Sequence, residues 1–394
     1  MPFSKLKSQL ALQGNVVPLL VLVLLIVTGE KLWERFLPKY LEDLGASVLV
    51  IGSLGFLQNM LNAWWALQGG RWSDKLGDRR AFQLFSLLAV GGYLVAILIP
   101  HWAAVFAGMV FFSAWGAVSL PGSLSLIIKS VGKGKAAMGI SMHSVIRRIP
   151  MAVGPLLGAL LIGAFGMVGG IRAAFGVSAV LCLAGLFLLK NFSGKSETYE
   201  QLPFLTIWQR MDGRLKNLLF SDILIRFCEQ IPYVFVVLWC INRVGVSAGQ
   251  FGVLTAVEMT VAALIYIPVA SFSDRMERKP FVAATFIFFT LFPVLLFYSE
   301  TWPMLLLAFV VRGLKEFGEP TRKAMIVELS IEGAQARTVG AYYFIRDFTT
   351  AFAAFLGGWL WLQNPGLNLW TAAAFGAVGT VAFLFLGKGT EVED

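Results

Sequence analysis

The sequence predicts an all-α integral membrane protein, and three observations carry this prediction. Hydrophobic residues make up 57% of the 394 residues and charged residues only 14%, against about 45–50% and 25% in ordinary soluble proteins. The mean hydropathy is +0.74. The apolar residues form long continuous runs, whereas membrane β-barrels show ten-residue alternating segments. The composition excludes a disordered chain, and the three cysteines lie in apolar runs without zinc-site spacing.

Twelve apolar stretches are long enough to cross a bilayer, which takes about 20 residues. In chain order they cover residues 16–37, 49–69, 82–99, 103–127, 137–163, 170–190, 217–241, 250–270, 281–299, 302–326, 337–362 and 368–386. The first stretch is too long for a secretory signal and carries charged residues, Glu30 and Lys31 among them. We therefore predict twelve membrane spans.

Lysine and arginine in the connecting segments orient the chain, because cytoplasmic loops are enriched in both. With both termini in the cytoplasm, 21 of the 32 basic residues, including Arg322 and Lys323, fall in cytoplasmic segments and three fall outside. This bias predicts a protein of the plasma (inner) membrane with cytoplasmic termini. It also explains the net charge of +9 without a nucleic-acid partner.

A polar stretch at 191–216 separates six predicted spans from six others. We therefore expect a six-helix bundle at 1–190, a cytoplasmic linker at 191–216 and a second bundle at 217–394. The halves repeat with an offset of about 200 residues, which pairs Gly45 with Gly245, Gly52 with Gly252, Asp74 with Asp274, Pro121 with Pro320, and Ile146-Arg147 with Ile345-Arg346. Internal repeats around a central site are typical of secondary transporters.

The loop after the second span carries a recognisable motif, Gly70-Arg-Trp-Ser-Asp74-Lys75-Leu-Gly77-Asp-Arg79-Arg80. It resembles the cytoplasmic signature of the major facilitator superfamily, G-x-x-x-D-R/K-x-G-R/K-R/K, with Asp78 inserted before the basic pair. The counterpart after the eighth span lacks both glycines and keeps the charged residues Asp274, Arg275, Arg278 and Lys279. The resemblance covers the whole chain and implies alternating access, with these loops gating the motion rather than binding substrate.

The fifth predicted span contains Gly154-Pro155-Leu-Leu-Gly158. This run resembles the G-P-x-x-G core of a motif associated with antiporters, although Pro150 stands where that motif usually has glycine. Proline and glycine permit a kink and close helix packing. The resemblance favours export, whereas the fourth span lacks the arginine that drug/proton antiporters of this superfamily often place there.

Five basic residues near the ends of predicted spans are counted with the connecting segments: Arg172, Lys190, Arg322, Lys323 and Arg337. Sixteen other charged residues lie inside the predicted spans, where a charge at the bilayer centre costs about 2.5–3.5 kcal/mol on insertion scales. They are Glu30, Lys31, Glu34, Arg35, Arg147 and Arg148 in the first half, and Asp222, Arg226, Glu229, Glu258, Arg312, Lys315, Glu316, Glu319, Arg346 and Asp347 in the second. Eight are positive and eight negative, which predicts ion pairs. A purely fold-specifying role for these pairs is the alternative.

Helical spacing groups several of these charges on common faces. Glu30 and Glu34 share one face, as do Asp222, Arg226 and Glu229, and a third face is expected to combine Arg312, Glu316 and Glu319. Together with Arg147, Arg148, Arg346 and Asp347, they are the candidate substrate-cavity or ion-pair residues.

Glu30 is the first candidate for carrying a coupling proton, because it lies about two-thirds of the way across an apolar helix and loses hydration there. Glu229, at an offset of 199 residues, is the alternative.

The sequence lacks the G-x-x-x-x-G-K-S/T phosphate loop and the H-E-x-x-H, C-x-x-C and G-x-S-x-G motifs. We therefore expect no enzyme, metal or cofactor.

The prediction is a secondary active transporter, a proton-coupled exporter (antiporter) of a small charged or amphipathic organic molecule. The alternatives are proton-coupled uptake, lipid or lysolipid flipping, and a non-transporting membrane sensor, against which the short tails of about 15 and 8 residues argue. Expected partners are substrate, protons and membrane lipids, and we expect a monomer.

Overall fold

The computed structural model describes residues 16–76, 78–131, 136–188, 204–273, 276–332 and 335–387, and every regular element in these ranges is a helix. The helices are α1 (Val16–Trp33), α2 (Leu37–Asp43), α3 (Val48–Leu76), α4 (Asp78–Leu98), α5 (Trp102–Val131), α6 (Ala136–Leu188), α7 (Phe204–Arg210), α8 (Gly213–Tyr233), α9 (Ala248–Ser273), α10 (Lys279–Tyr298), α11 (Trp302–Leu314), α12 (Glu319–Glu328), α13 (Gln335–Gln363) and α14 (Pro365–Leu386). A 3-10 turn, Glu34–Phe36, links α1 to α2. A short α-helical turn, Val236–Leu238, and a π-helix, Trp239–Arg243, follow α8.

Part of the predicted gating signature falls outside this description. Gly77, Asp274 and Arg275 are not among the described residues, and nothing is described of the side chains of Asp74 and Lys75. Gly70 lies within α3, whereas Arg79 and Arg80 are exposed in the first turn of α4.

Five described helical stretches are long and apolar enough to cross a membrane: Arg79–Leu98, Ile146–Leu188, Ala248–Ile265, Lys279–Tyr298 and Pro365–Leu386. Gly213–Tyr233 and Val236–Arg243, bent by 44°, form a sixth if they are counted as one span. The all-helical prediction is thus confirmed for the described residues, and the count of twelve spans stays a prediction.

The fifth and sixth predicted spans are the two helical arms of α6, and a single residue, Gly166, breaks the helix between them. Gly166 has φ 72° and ψ 175°, a left-handed backbone that glycine adopts without a steric penalty. A Cβ on Gly170 would come within 2.5 Å of the Ile162 Cα. The two arms of α6 therefore fold back on each other directly at the break.

The tenth predicted span, 302–326, is broken. Helix α11 ends at Leu314, α12 begins at Glu319, and turns fill the interval between them. The backbone N–H of Gly318 donates a hydrogen bond to Thr285 Oγ1 at 2.5 Å. A side chain of α10 thus satisfies a backbone group that the break leaves without a helical partner.

One compact unit comprises residues 1–46 and 60–199. Within it, α1 packs between the two arms of α6. A Cβ on Gly154 would lie 2.5 Å from the Lys31 Cβ, and one on Gly158 would collide with the Leu32 carbonyl. On the other arm, Ser178 Oγ donates a hydrogen bond to the Gly29 carbonyl at 2.7 Å. Small residues at four-residue spacing thus bring α1 close to the first arm.

The second unit comprises residues 47–59 and 200–394. Its helix α8 packs against α14, where Gly376 lies beside Cys228, and against α13, where Gly357 meets the Ile231 backbone. The first turns of α3 also belong to this unit and approach α13 at Gly52 and Gly358.

The Gly158 packing makes a matched pair of substitutions informative. Alanine at Gly158 would overlap the Leu32 backbone, whereas alanine at Gly163 in the same helix would meet open space. We expect Gly158→Ala to lower stability by about 1–3 kcal/mol through overpacking. Gly163→Ala should be neutral or slightly stabilising, because alanine costs less backbone entropy than glycine in a helix. Thermal unfolding of the purified protein in detergent measures both; equal unfolding temperatures for the two variants would contradict the packing described for α1 and α6.

Candidate functional site

The charged site of the first unit is built on the last turn of α1. Lys31 Nζ donates hydrogen bonds to Glu30 Oε1, at 3.1 Å, and to the Glu34 carboxylate. All three side chains are at least partly buried, with Glu30 the most exposed of them at 28%. One lysine therefore holds the two carboxylates that the sequence places on a common face.

Arg147 faces this site from the first arm of α6. The carboxylates of Glu30 and Glu34 both act on its guanidinium electrostatically. Its Nη1 atom is buried and has no hydrogen-bond partner among the described residues. The neighbouring Arg148 is also half-buried. On α5, Gly116 lies beside Glu30, since a Cβ built there would stand 4.0 Å from Glu30 Oε2.

The charged site of the second unit is centred on Arg322 of α12. Its guanidinium donates two bonds to Glu319, Nε to Oε2 at 3.0 Å and Nη2 to Oε1 at 2.7 Å, and its Nη1 contacts the Asp222 carboxylate. The side chains of Arg322 and Asp222 are each only 1% exposed. Asp222 also accepts a hydrogen bond from the Tyr342 hydroxyl at 3.0 Å and lies 3.5 Å from Arg346.

The second charged site continues along α8 towards α9 and α11. Arg226 bonds Glu229 at 2.6 Å, and Lys315 bonds the other oxygen of Glu229 at 2.8 Å. Lys315 also lies 3.5 Å from Glu258, which Arg312 approaches to 3.3 Å. Arg226 connects the two parts of the site, at 3.8 Å from Asp222 and 3.7 Å from Glu319. A single ion-pair network thus joins α8, α9, the α11–α12 break and α13.

A small cavity opens beside this network. It contains about 280 Å³ of unfilled space, including its mouth, and is lined by Cys228, Glu229, Val236, Phe289, Phe292, Arg312 and Lys315. Arg312 stacks over the Phe292 ring at 4.7 Å, and Arg226 and Lys315 lie 5.3 and 5.6 Å from the Phe289 ring centre. The cations therefore have aromatic faces on one side and carboxylates on the other.

Most of the charged residues that the sequence predicts for the site in the second half lie together in one ion-pair network. Asp222, Arg226, Glu229, Arg312, Glu319 and Arg346 all belong to the second network. The face predicted for Arg312, Glu316 and Glu319 is wrong, because α11 ends at Leu314 and these residues do not lie on one helix. Asp347 pairs with Arg346 at 2.7 Å but is 53% exposed, so it lies at the edge of the network.

Sequence reasoning missed the centre of this network. Arg322, assigned to a cytoplasmic segment, is buried, and Tyr342 contributes its hydroxyl. Glu258 and Lys315 were counted among the charges within spans but not as site candidates. The available signal was spacing, because Arg322 stands three residues after Glu319 on one helix.

The signature loop after α9 also contributes an ion pair. Arg278 contacts the Glu328 carboxylate at the end of α12. Lys279 is the first residue of α10, with Pro280 directly after it. The pair links the beginning of α10 to the end of α12.

Comparisons with known proteins agree with this architecture. The sequence profile of the Major Facilitator Superfamily matches residues 19–208 and 218–393. An uncharacterized MFS-type transporter of Methanocaldococcus jannaschii is 20% identical over 366 residues, which is 89% of each chain. The nucleoside transporter NupG superposes with a TM-score of 0.75 at 16% identity, over 95% of this chain and 100% of that one. A POT family transporter in complex with 5-aminolevulinic acid gives 0.76 at 14% identity, over 94% of both chains.

The buried network predicts a large difference between two adjacent cations. Arg322→Gln removes the charge that Asp222 and Glu319 share, and breaking a buried pair in this way costs about 3–5 kcal/mol. Lys323 is 50% exposed and lies 3.5 Å from Glu319, so Lys323→Gln should cost about 1 kcal/mol or less. Thermal unfolding in detergent compares the two variants. If Arg322→Gln unfolds at the wild-type temperature, the network does not stabilise the second unit.

Proposed function

Because the chain belongs to the Major Facilitator Superfamily and is a membrane transporter rather than an enzyme, we propose that it is a secondary active transporter that works by alternating access. It exports a small charged or amphipathic organic molecule in exchange for protons. Its twelve spans form two repeated six-helix bundles in the plasma (inner) membrane, with both termini in the cytoplasm. The proteins that share its fold include a nucleoside transporter and a POT family transporter in complex with 5-aminolevulinic acid, which fits a small organic solute.

The observation that carries proton coupling is the contrast between Glu30 and Glu229. Glu229 is bonded by two cations, Arg226 at 2.6 Å and Lys315 at 2.8 Å. A proton arriving there must break two ion pairs. Within the described part of the chain, Glu30 has one ion pair, with Lys31 at 3.1 Å, and its side chain is 28% exposed against 13% for Glu229. Protonation of Glu30 therefore disrupts less, and we assign it the coupling proton.

Loss of the Glu30 charge would change the electrostatic partners of Lys31 and Arg147. Lys31 would keep Glu34 as its carboxylate, and Arg147 would lose one of the two carboxylates that act on it. The electrostatic environment between α1 and α6 thus depends on whether Glu30 holds a proton. A carrier whose preferred state depends on proton occupancy has the property that coupling requires.

The G-P-x-x-G run, which resembles an antiporter motif, is the feature of the chain that favours export. Pro155 is buried inside α6, and the flanking Gly154 and Gly158 bring α6 against α1 next to Lys31. The segment associated with antiporters therefore contacts the helix that carries Glu30. Transport measurements in proteoliposomes determine whether the solute is exported or taken up.

The coupling proposal is tested by a matched pair of glutamines in proteoliposomes. Candidate solutes are screened for proton movement with a pH-sensitive dye enclosed in the vesicles, and an active solute is then used for both variants. Glu30→Gln should abolish accumulation driven by a pH gradient and keep solute exchange at equal pH, since exchange moves no net proton. Glu34→Gln shares the Lys31 partner, lies one turn away and should keep gradient-driven accumulation. Accumulation by Glu30→Gln at the wild-type pH dependence eliminates the assignment.

The gating signature gives a second pair of variants, chosen from the sequence repeat. Only the first loop keeps the glycines around its aspartate, so Asp74→Asn should reduce transport severely and Asp274→Asn less. Surface expression and thermal stability serve as controls for folding. Wild-type transport rates for both variants would remove the gating role.

A further inference from the structure

Arg147 occupies an unusual electrostatic position in the first unit. Its side chain is half-buried, and the Nη1 atom is fully buried without a hydrogen-bond partner among the described residues. A buried charged donor without an acceptor is costly, since the group loses water and gains nothing in exchange. Glu30 and Glu34 act on Arg147 electrostatically, but Lys31 already bonds both of these carboxylates.

The repeat supplies an internal comparison. Arg346 stands 199 residues after Arg147, at the equivalent position of the second half. Arg346 lies 2.7 Å from Asp347 and 3.5 Å from Asp222. The second unit therefore provides carboxylates to its central arginine, whereas the described residues of the first unit leave the Nη1 atom of Arg147 without one.

We infer that Arg147 binds the carboxylate of the transported molecule, which makes the substrate an organic monocarboxylate. The inference rests on the proposed transport function and deepens it by naming the substrate class. A guanidinium offers two parallel N–H donors that match the two carboxylate oxygens. A dianion such as a phosphate monoester fits less well, because Glu30 would repel its second charge.

The test measures binding rather than transport, using the purified full-length protein in detergent. The probes are monocarboxylates of increasing size, from acetate through benzoate to naphthoate, each compared with its uncharged primary amide and, for the aromatic probes, with phenyl phosphate. Ligand-induced increases in unfolding temperature give apparent affinities. At least one monocarboxylate should stabilise the wild type, and its amide and phenyl phosphate should not.

Arg147→Gln should weaken that affinity about tenfold or more, as expected when a charge-assisted contact is lost. Arg243→Gln removes the charge of an exposed arginine outside both charged sites; it is the control and should stay within about twofold. Arg147→Lys keeps the charge without the two-point geometry and should give an intermediate loss, which covers the case of a poorly folded glutamine variant.

Three results would overturn the inference: no stabilisation by any monocarboxylate, equal stabilisation by the amides or by phenyl phosphate, or an equal loss of affinity in the Arg147 and Arg243 variants. Carboxylate binding through Arg147 without gradient-driven transport in proteoliposomes would instead overturn the proposed function. The two failures are therefore distinguishable.

Discussion

The contact of Arg322 with Asp222 and Glu319 is the interaction on which the second unit depends. All three side chains are buried, and in a low-dielectric interior a charge without a partner costs more than most packing contacts contribute. The contact joins α8 to α12, and Tyr342 and Arg346 bring α13 to the same carboxylate. The packing of these helices follows from the need to match one guanidinium with two carboxylates.

The same constraint explains the break between α11 and α12. An unbroken helix over 302–326 would place Lys315 and Glu319 one turn apart along a single face. The break separates them, so that Lys315 reaches Glu229 on α8 and Glu258 on α9 while Glu319 meets Arg322 within α12. Discontinuous helices of this kind form the central sites of many secondary transporters, where irregular backbone is tolerated because it is enclosed by protein.

Sequence reasoning predicted the apolar helices well and the charged ones poorly. Helix α10 spans 279–298 against a predicted 281–299, and α14 spans 365–386 against 368–386, because an uninterrupted apolar run fixes both the helix and its length. The break after Leu314 was missed, since hydropathy does not reveal a turn enclosed in an apolar stretch. The reversal at Gly166 lies within the connection predicted between residues 163 and 170. Asp222, Arg226 and Glu229 do pair as their spacing predicts. The buried position of Arg322 depends on tertiary contacts that the positive-inside rule does not consider.

Residues at matching positions of the predicted repeat lie in different electrostatic surroundings. Arg346 and Glu229 are held by partners on their own unit, and a group with two partners changes state only when both contacts break. Across the described residues, Glu30 has a single ion pair, with Lys31, and Arg147 retains a buried donor without an acceptor. Buried charges whose partners all come from the protein suit a scaffold that must keep its shape. A buried charge that lacks one partner suits a site where a ligand or a proton supplies it. We therefore propose a division of roles, in which the second unit keeps the ion pairs that stabilise it and the first gives up part of that stability for binding.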